Sequence, residues 1–312
     1  MHYSSAFLIA VLSAHASAHG VITSIQGANG VTMPGLSGMI LASISFIVIK
    51  YSPAAVADGT PRDCATPACG SEADTSIIRS KELGTNKATA LGRTNGGGPV
   101  DAAKAIAAFM GGSGNATANK ERGLLNALIG GNAGGKTGGG ATAGGATSGG
   151  TKTPKGTTED GVAKAAGTGA TSGLPTCADD GTITMTFHQV NQDGAGPLTA
   201  AVDPTSGGTD PAAFQTAQVT QNVPGIGVGG LSGAKTTDFP VKVQMPAGMT
   251  CSGSVGGASN VCIVRLQNSA LAGPFGGSAA FTQSAAAKKR AIEHNLRMRH
   301  MARGILGKPE VE

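Results

Sequence analysis

The sequence predicts a mainly β protein, an antiparallel β-sandwich with long irregular Gly-rich loops and a few short helices. Three observations carry this. Short runs with apolar–polar alternation recur between Cys177 and Phe281, separated by Gly, Pro, Asn and Asp. Gly accounts for 51 of the 312 residues and aromatic residues for only 3%, so much of the chain cannot bury the apolar surface of a packed core. Helical periodicity is confined to a few short stretches.

In chain order, an apolar run over 6–11 and the small residues Ala16-Ser17-Ala18 have the pattern of a secretory signal peptide over 1–18. Cleavage after Ala18 leaves His19 first and cleavage after Ala16 leaves Ser17 first; the local pattern admits both. Residues 20–25 read as a strand, followed by a Gly/Asn turn. The apolar run 39–49 is too short to span a bilayer as a helix. It interrupts a polar, glycine-rich stretch whose flanks read smoothly without it. Residues 39–57 are therefore read as a spurious insert, such as a translated intron, in preference to a buried strand.

Residues 58–64 have turn chemistry. The spacing over 101–110 predicts a short helix with Ala105, Ile106 and Phe109 towards a core, and 120–129 predicts another. Asn115-Ala116-Thr117 is an N-glycosylation sequon. Low-complexity Gly, Thr and Ala over 130–173 predict a flexible loop or linker. It divides the N-terminal part of a secreted domain, 19–129, from the β-rich C-terminal part, 174–283. Strands are expected over 182–190, 198–202, 218–223, 239–245 and 260–267. In the first of these, Ile183, Met185 and Phe187 share one face and His188 falls on the other. Residues 284–312 form a basic tail, expected to lack fixed structure, with a helix over 285–304 as the alternative. Its Lys288-Lys289-Arg290 would suit a processing protease of the secretory route.

The net charge of +5 is concentrated in that tail, where seven Lys/Arg face three Glu. The near-neutral body excludes a broad nucleic-acid surface. No stretch predicts a stable membrane span. Five cysteines in a secreted chain predict disulfides with one thiol left over. Cys251 and Cys262 flank a turn-rich segment between two β-type runs and are expected to bridge; pairing among Cys64, Cys69 and Cys177 stays open. There is no paired-carboxylate signature for glycoside hydrolysis, no Gly-x-Ser-x-Gly elbow and no phosphate loop in a strand-then-helix setting. No catalytic residue is assigned.

Several runs carry a family resemblance: His19-Gly20-Val21-Ile22, Gly59-Thr60-Pro61-Arg62-Asp63, Asp238-Phe239-Pro240, Gln244-Met245-Pro246-Ala247-Gly248, Asn260-Val261-Cys262, Gly273-Pro274-Phe275-Gly276-Gly277 and, above all, HQVNQDGAGP from His188 to Pro197. In these the chain resembles the Egh-like secreted proteins of filamentous fungi, including the Gas/MAS-type proteins of appressoria. The resemblance implies a secreted, extracellular virulence-type protein associated with appressorium-mediated host penetration. Its implied partner is a cell-wall polysaccharide or a host surface component. It also favours cleavage before His19. Ala200 or Ala201, and Ser278, stand where the family pattern has cysteine, which implies two halves of one missing disulfide.

A second resemblance yields the alternative function. A mature chain starting His19-Gly20, short strands and an internal His before Gly194-Ala195-Gly196-Pro197 are similar to lytic polysaccharide monooxygenases. In those enzymes an N-terminal amine and two imidazoles hold copper in a histidine brace. Amine and imidazole nitrogens suit Cu(II) in a tetragonal arrangement. Of the six histidines, His2 and His15 leave with the signal and His294 and His300 lie in the tail, so a brace in the core pairs His19 with His188. Phe275 or Phe281 would supply an axial aromatic, and Gln189 or Gln283 a neighbouring polar group. The expected metal ligands are thus His19 and His188, with copper as cofactor.

Overall fold

A computed structural model describes residues 19–38, 57–112, 149–226 and 231–302. The expected signal peptide over 1–18, the sequon at Asn115, the helix expected over 120–129 and residues 39–56 of the expected insert lie outside the described residues.

In chain order the strands are β1 (Gly20–Gln26), β2 (Thr32–Pro34), β3 (Ser76–Ile77), β4 (Arg93–Thr94), β5 (Gly98–Pro99), β6 (Thr151–Lys152), β7 (Thr182–Gln189), β8 (Thr199–Asp203), β9 (Gln215–Gln221), β10 (Thr237–Gln244), β11 (Gly253–Val255), β12 (Ala258–Gln267) and β13 (Phe275–Thr282). They form one sheet in the order β2-β1-β7-β10-β9-β8-β12-β13-β3-β4-β5, with β6 added to β10 and β11 to β12. All pairings between these strands are antiparallel. The mainly β, antiparallel class therefore holds, but the expected pair of separate sheets is one sheet curled into a half-barrel. Strand β9 is the reason: it hydrogen-bonds β10 on one side and β8 on the other. Alternation shows which face of a strand is buried, but not whether two groups of strands share an edge.

The inner face holds the core. Ile183, Met185 and Phe187 of β7 and Val241 and Val243 of β10 are buried. Ile22, Phe187 and Phe239 form one cross-strand row over β1, β7 and β10. Curling brings β13 against β1. A Cβ at Gly277 would come within 2.9 Å of the Ile22 nitrogen, and one at Gly276 would strike the Leu266 carbonyl. These glycines allow the close approach, and they also hide β13 from any propensity-based reading.

Helix α1 (Ala102–Phe109) starts at Asp101, whose carboxylate accepts from Lys104 N at 3.0 Å, and buries Ala105, Ile106 and Phe109 as their spacing predicts. The Gly/Thr-rich stretch is structured over its described part. Residues 149–173 hold β6 and the short helices α2 (Gly161–Ala165) and α3 (Gly169–Ser172). The tail is likewise ordered over α4 (Ala285–Ala302). Ala287 and Ala291 face the body, and Asn295 Nδ2 donates to Gly248 O at 2.8 Å. Among the described residues no helix is long and apolar enough to cross a membrane.

Ala57 N donates to Gly38 O at 3.4 Å, so the two ends flanking 39–56 meet. Deleting 39–56 and joining Gly38 to Ala57 is expected to move the melting temperature by no more than about 4 °C, equivalent to ~1 kcal/mol. Loss of cooperative unfolding would instead make the segment integral to the fold.

Disulfides join Cys64 to Cys69 and Cys251 to Cys262. Cys177 is free, and burial pushes its thiol pKa up. Replacing Cys251 and Cys262 by Ser is expected to cost about 2–3 kcal/mol from the loop they close, read as a lower urea midpoint. Ala201 and Ser278 do not face each other: each pairs with Arg265 of the intervening β12. Two strand spacings, about 10 Å, separate them, too far for a disulfide.

Candidate functional site

His19 and His188 lie where β1 begins and β7 ends. Val190 N donates to His19 O at 3.0 Å, which sets His19 opposite Val190 and Val21 opposite His188. His19 and His188 are thus diagonal positions in the backbone register of neighbouring chain segments. His188 falls on the face of β7 away from Phe187, yet it is 1% exposed, and His19 is 6% exposed.

Each ring is held by its own carboxylate. His19 Nδ1 lies 3.0 Å from Glu72 Oε1, an ion-pair distance without hydrogen-bond alignment. The ring packs on Phe275 with centroids 4.4 Å apart. The His19 backbone N–H donates to Asn191 Oδ1 at 2.9 Å, and Asn191 Nδ2 reaches Glu72 Oε1 at 3.3 Å. His188 Nδ1 lies 2.7 Å from Asp238 Oδ1, on the strand opposite Val21. His188 Nε2 is buried and has no hydrogen-bond partner among the described residues. Among those residues, no three His, Cys, Asp or Glu side chains gather as a metal cluster.

The HQVNQDGAGP run builds the surroundings of His19. Gln189 Nε2 contacts Asn191 O, Ser232 Oγ and Ala234 O at 2.7–2.9 Å and ties the following loop to residues 232–234. Gly194 lies against the His19 carbonyl, where any Cβ would collide. Of the other residues expected near a brace, Phe275 stacks on His19. Phe281 is a core residue paired with Cys262, and Gln283 binds Cys251 N and Met249 O.

A buried ion cluster supports the segment that carries Glu72. Arg62 donates to Asp74 at 2.6 and 3.1 Å and to Glu159 at 3.0 and 3.1 Å. Burial alone would disfavour its charge, but the Asp74 and Glu159 carboxylates outweigh that and raise its pKa. Beside Asp238 opens a cavity of about 370 Å³ lined by hydroxyls, including Ser24, Thr32, Thr153 and Thr158, with Glu159 at its wall. A larger cavity, about 600 Å³, lies under α4 at the opposite end of β7 and β10.

Sequence reasoning missed Glu72, Asn191 and the ring-holding role of Asp238. Asp238 and Asn191 stand inside quoted motifs, which was the available signal. Glu72 sits in an irregular polar stretch with none.

Comparison with known proteins matches residues 48–276, well over half of the chain, to the Egh16-like virulence factor family. The match includes Glu72, His188 and Asp238 and begins beyond His19. The chain is 57% identical, over 98% of its length and 97% of the relative's, to a protein of Pyricularia oryzae named appressoria-specific virulence factor GAS2. It is 40% identical to appressoria-specific virulence factor GAS1 of the same fungus over 130 residues, 40% of this chain and 50% of that one. No solved structure matches. By the family match and by its near end-to-end likeness to GAS2, this chain belongs to the Egh16-like virulence factor family.

Proposed function

We propose that this protein is a secreted, appressorium-associated virulence factor that acts extracellularly at the cell wall or the host surface during penetration. The likeness to appressoria-specific virulence factor GAS2, at 57% identity over 98% of the chain, carries the reading. The hydroxyl-lined cavity beside Asp238 and the two disulfides suit a secreted protein that meets polysaccharide. Disrupting the gene is expected to leave appressoria able to form but less able to penetrate. Full penetration by the disruptant, or a tagged protein retained inside the cell, would refute it.

A second reading is a copper-binding protein related to lytic polysaccharide monooxygenases, and His188 favours it. A ring fixed through Nδ1 by a carboxylate, with its Nε2 buried and unpartnered, is how proteins present a histidine to a metal. The donors this reading calls for are His188 Nε2, with the His19 nitrogen and Nδ1 as a chelate once the chain begins at His19. Bound copper would supply redox chemistry at its open positions. Protein starting at His19 is expected to bind one Cu(II) with the spectrum of a nitrogen-rich tetragonal site. His188→Ala, or one residue added before His19, is expected to abolish it. An unchanged spectrum in both would sink this reading.

A further inference from the structure

A depression on the outer face of the β8/β9/β12 part of the sheet is built around a cation that has no counter-charge among the described residues. Arg265 of β12, Ala201 of β8 and Thr216 of β9 form one cross-strand row, and Gln267 and Thr199 form the next on the same face. Ala201 is small, so the row sinks between its larger neighbours. Pro211 and Phe214, from the loop before β9, raise one wall. The enclosed space is about 330 Å³, at the lower end of small-molecule sites and enough for a sugar ring.

Arg265 is the one charged residue lining it. Its guanidinium stacks on the Phe214 ring at 4.3 Å and donates one Nη1–H to Ala90 O. Among the described residues no carboxylate pairs with it. Burial pushes its pKa down, with no neighbouring charge to oppose the shift. A half-buried cation without a counter-ion is costly, and a carboxylate ligand would offset that cost. Stacking holds the guanidinium plane, which leaves its remaining in-plane N–H groups for a two-point grip on a carboxylate. The wall is also pre-formed: Asp203, fully buried, accepts from Thr205 N, Ser206 N, Ser206 Oγ and Gly208 N and pins the loop leading to Pro211.

We propose that this depression binds an acidic sugar, its carboxylate on Arg265 and its hydroxyls on Thr199, Thr216 and Gln267. The choice of a sugar rests on the wall-facing reading above. The cavity beside Asp238 is lined by the carboxylates of Glu159, Asp160 and Asp238 against the single cation Arg62, which Asp74 and Glu159 already pair, so it disfavours the same ligand.

The test is calorimetric titration of the full secreted protein with trigalacturonate, neutral galactotriose and inorganic phosphate as separate probes. Saturable 1:1 binding of trigalacturonate alone is expected. Arg265→Gln is expected to weaken it at least about tenfold, which is 1.4 kcal/mol. Arg265→Lys is expected to fall between the two, because an ammonium keeps the charge without the fork. Thr199→Trp fills the mouth at an exposed strand position, leaves Arg265 in place and is expected to abolish binding. Arg297→Gln on α4 is expected to change nothing. Equal binding of phosphate or galactotriose overturns the proposal. So does absence of saturation in the parent protein, or unchanged affinity in both Arg265→Gln and Thr199→Trp. A disruptant that penetrates normally would remove the infection role and leave this binding result standing.

Discussion

Arg62→Met is expected to lower folding stability by about 3–5 kcal/mol, the range for leaving buried charges without their partner. The Arg62 side chain is 6% exposed, Asp74 1% and Glu159 17%, so water can reach Glu159 from the cavity but cannot replace the guanidinium at Asp74. Loss of the cation strands two carboxylates in a cluster that joins residues 62–74 to residue 159. The triple variant Arg62→Met, Asp74→Leu, Glu159→Met is expected to recover most of the loss, because no charge then stays unpaired. Urea midpoints of the parent, single and triple variants decide this. A single-variant loss below about 1 kcal/mol would mean that the cluster behaves like a surface ion pair. The same segment carries Glu72, so a folded Arg62→Met protein is also expected to hold His19 less firmly.

Phe187→Ala is expected to cost about 3–5 kcal/mol, as for other buried aromatics cut to Ala. Phe187 is fully buried in the row Ile22–Phe187–Phe239, and its ring fills the place where Gly20 would carry a Cβ. The cavity opens beneath the start of β1, next to His19. Hydrogen exchange is therefore expected to rise first at Val21 and Ile22 and only later at β12. Uniform acceleration over the whole sheet would instead place Phe187 in a single cooperative core with no local weakness.

The histidine site was partly legible. Alternation placed His188 opposite the core side of β7, and the small-residue pattern before His19 marked a candidate chain start. Their burial was not legible. A strand pattern shows which residues turn away from the core, but not that Glu72 and Phe275 will pack on His19 and Asp238 on His188. Strand β13 was hidden for a different reason. Gly276 and Gly277 lower strand propensity, yet they are the positions where β12 and β1 press closest. Helix α4 was set aside as tail because its apolar stripe is thin. Its docking rests on small Ala287 and Ala291 and on one bond from Asn295, which hydrophobic periodicity does not register.

By itself the sequence determined the mainly β class, the positions of most long strands, helix α1 with its buried Ala105, Ile106 and Phe109, and the family, through the run from His188 to Pro197. These are local signals: a period of two, a helical spacing of apolar residues, a contiguous motif. Only the tertiary structure decided that the strands form one curled sheet, that Cys64 pairs with Cys69 and leaves Cys177 free, and that His19 meets Glu72 while His188 meets Asp238. It alone set Arg62 between Asp74 and Glu159 and, among the described residues, left Arg265 without a carboxylate. The ionic partners lie far apart in the chain, 50 residues for His188 and Asp238 and 97 for Arg62 and Glu159, whereas Cys64 and Cys69 are only 5 apart. A charge finds its partner through the curl of the sheet and the burial that follows, and neither is encoded in the neighbouring residues.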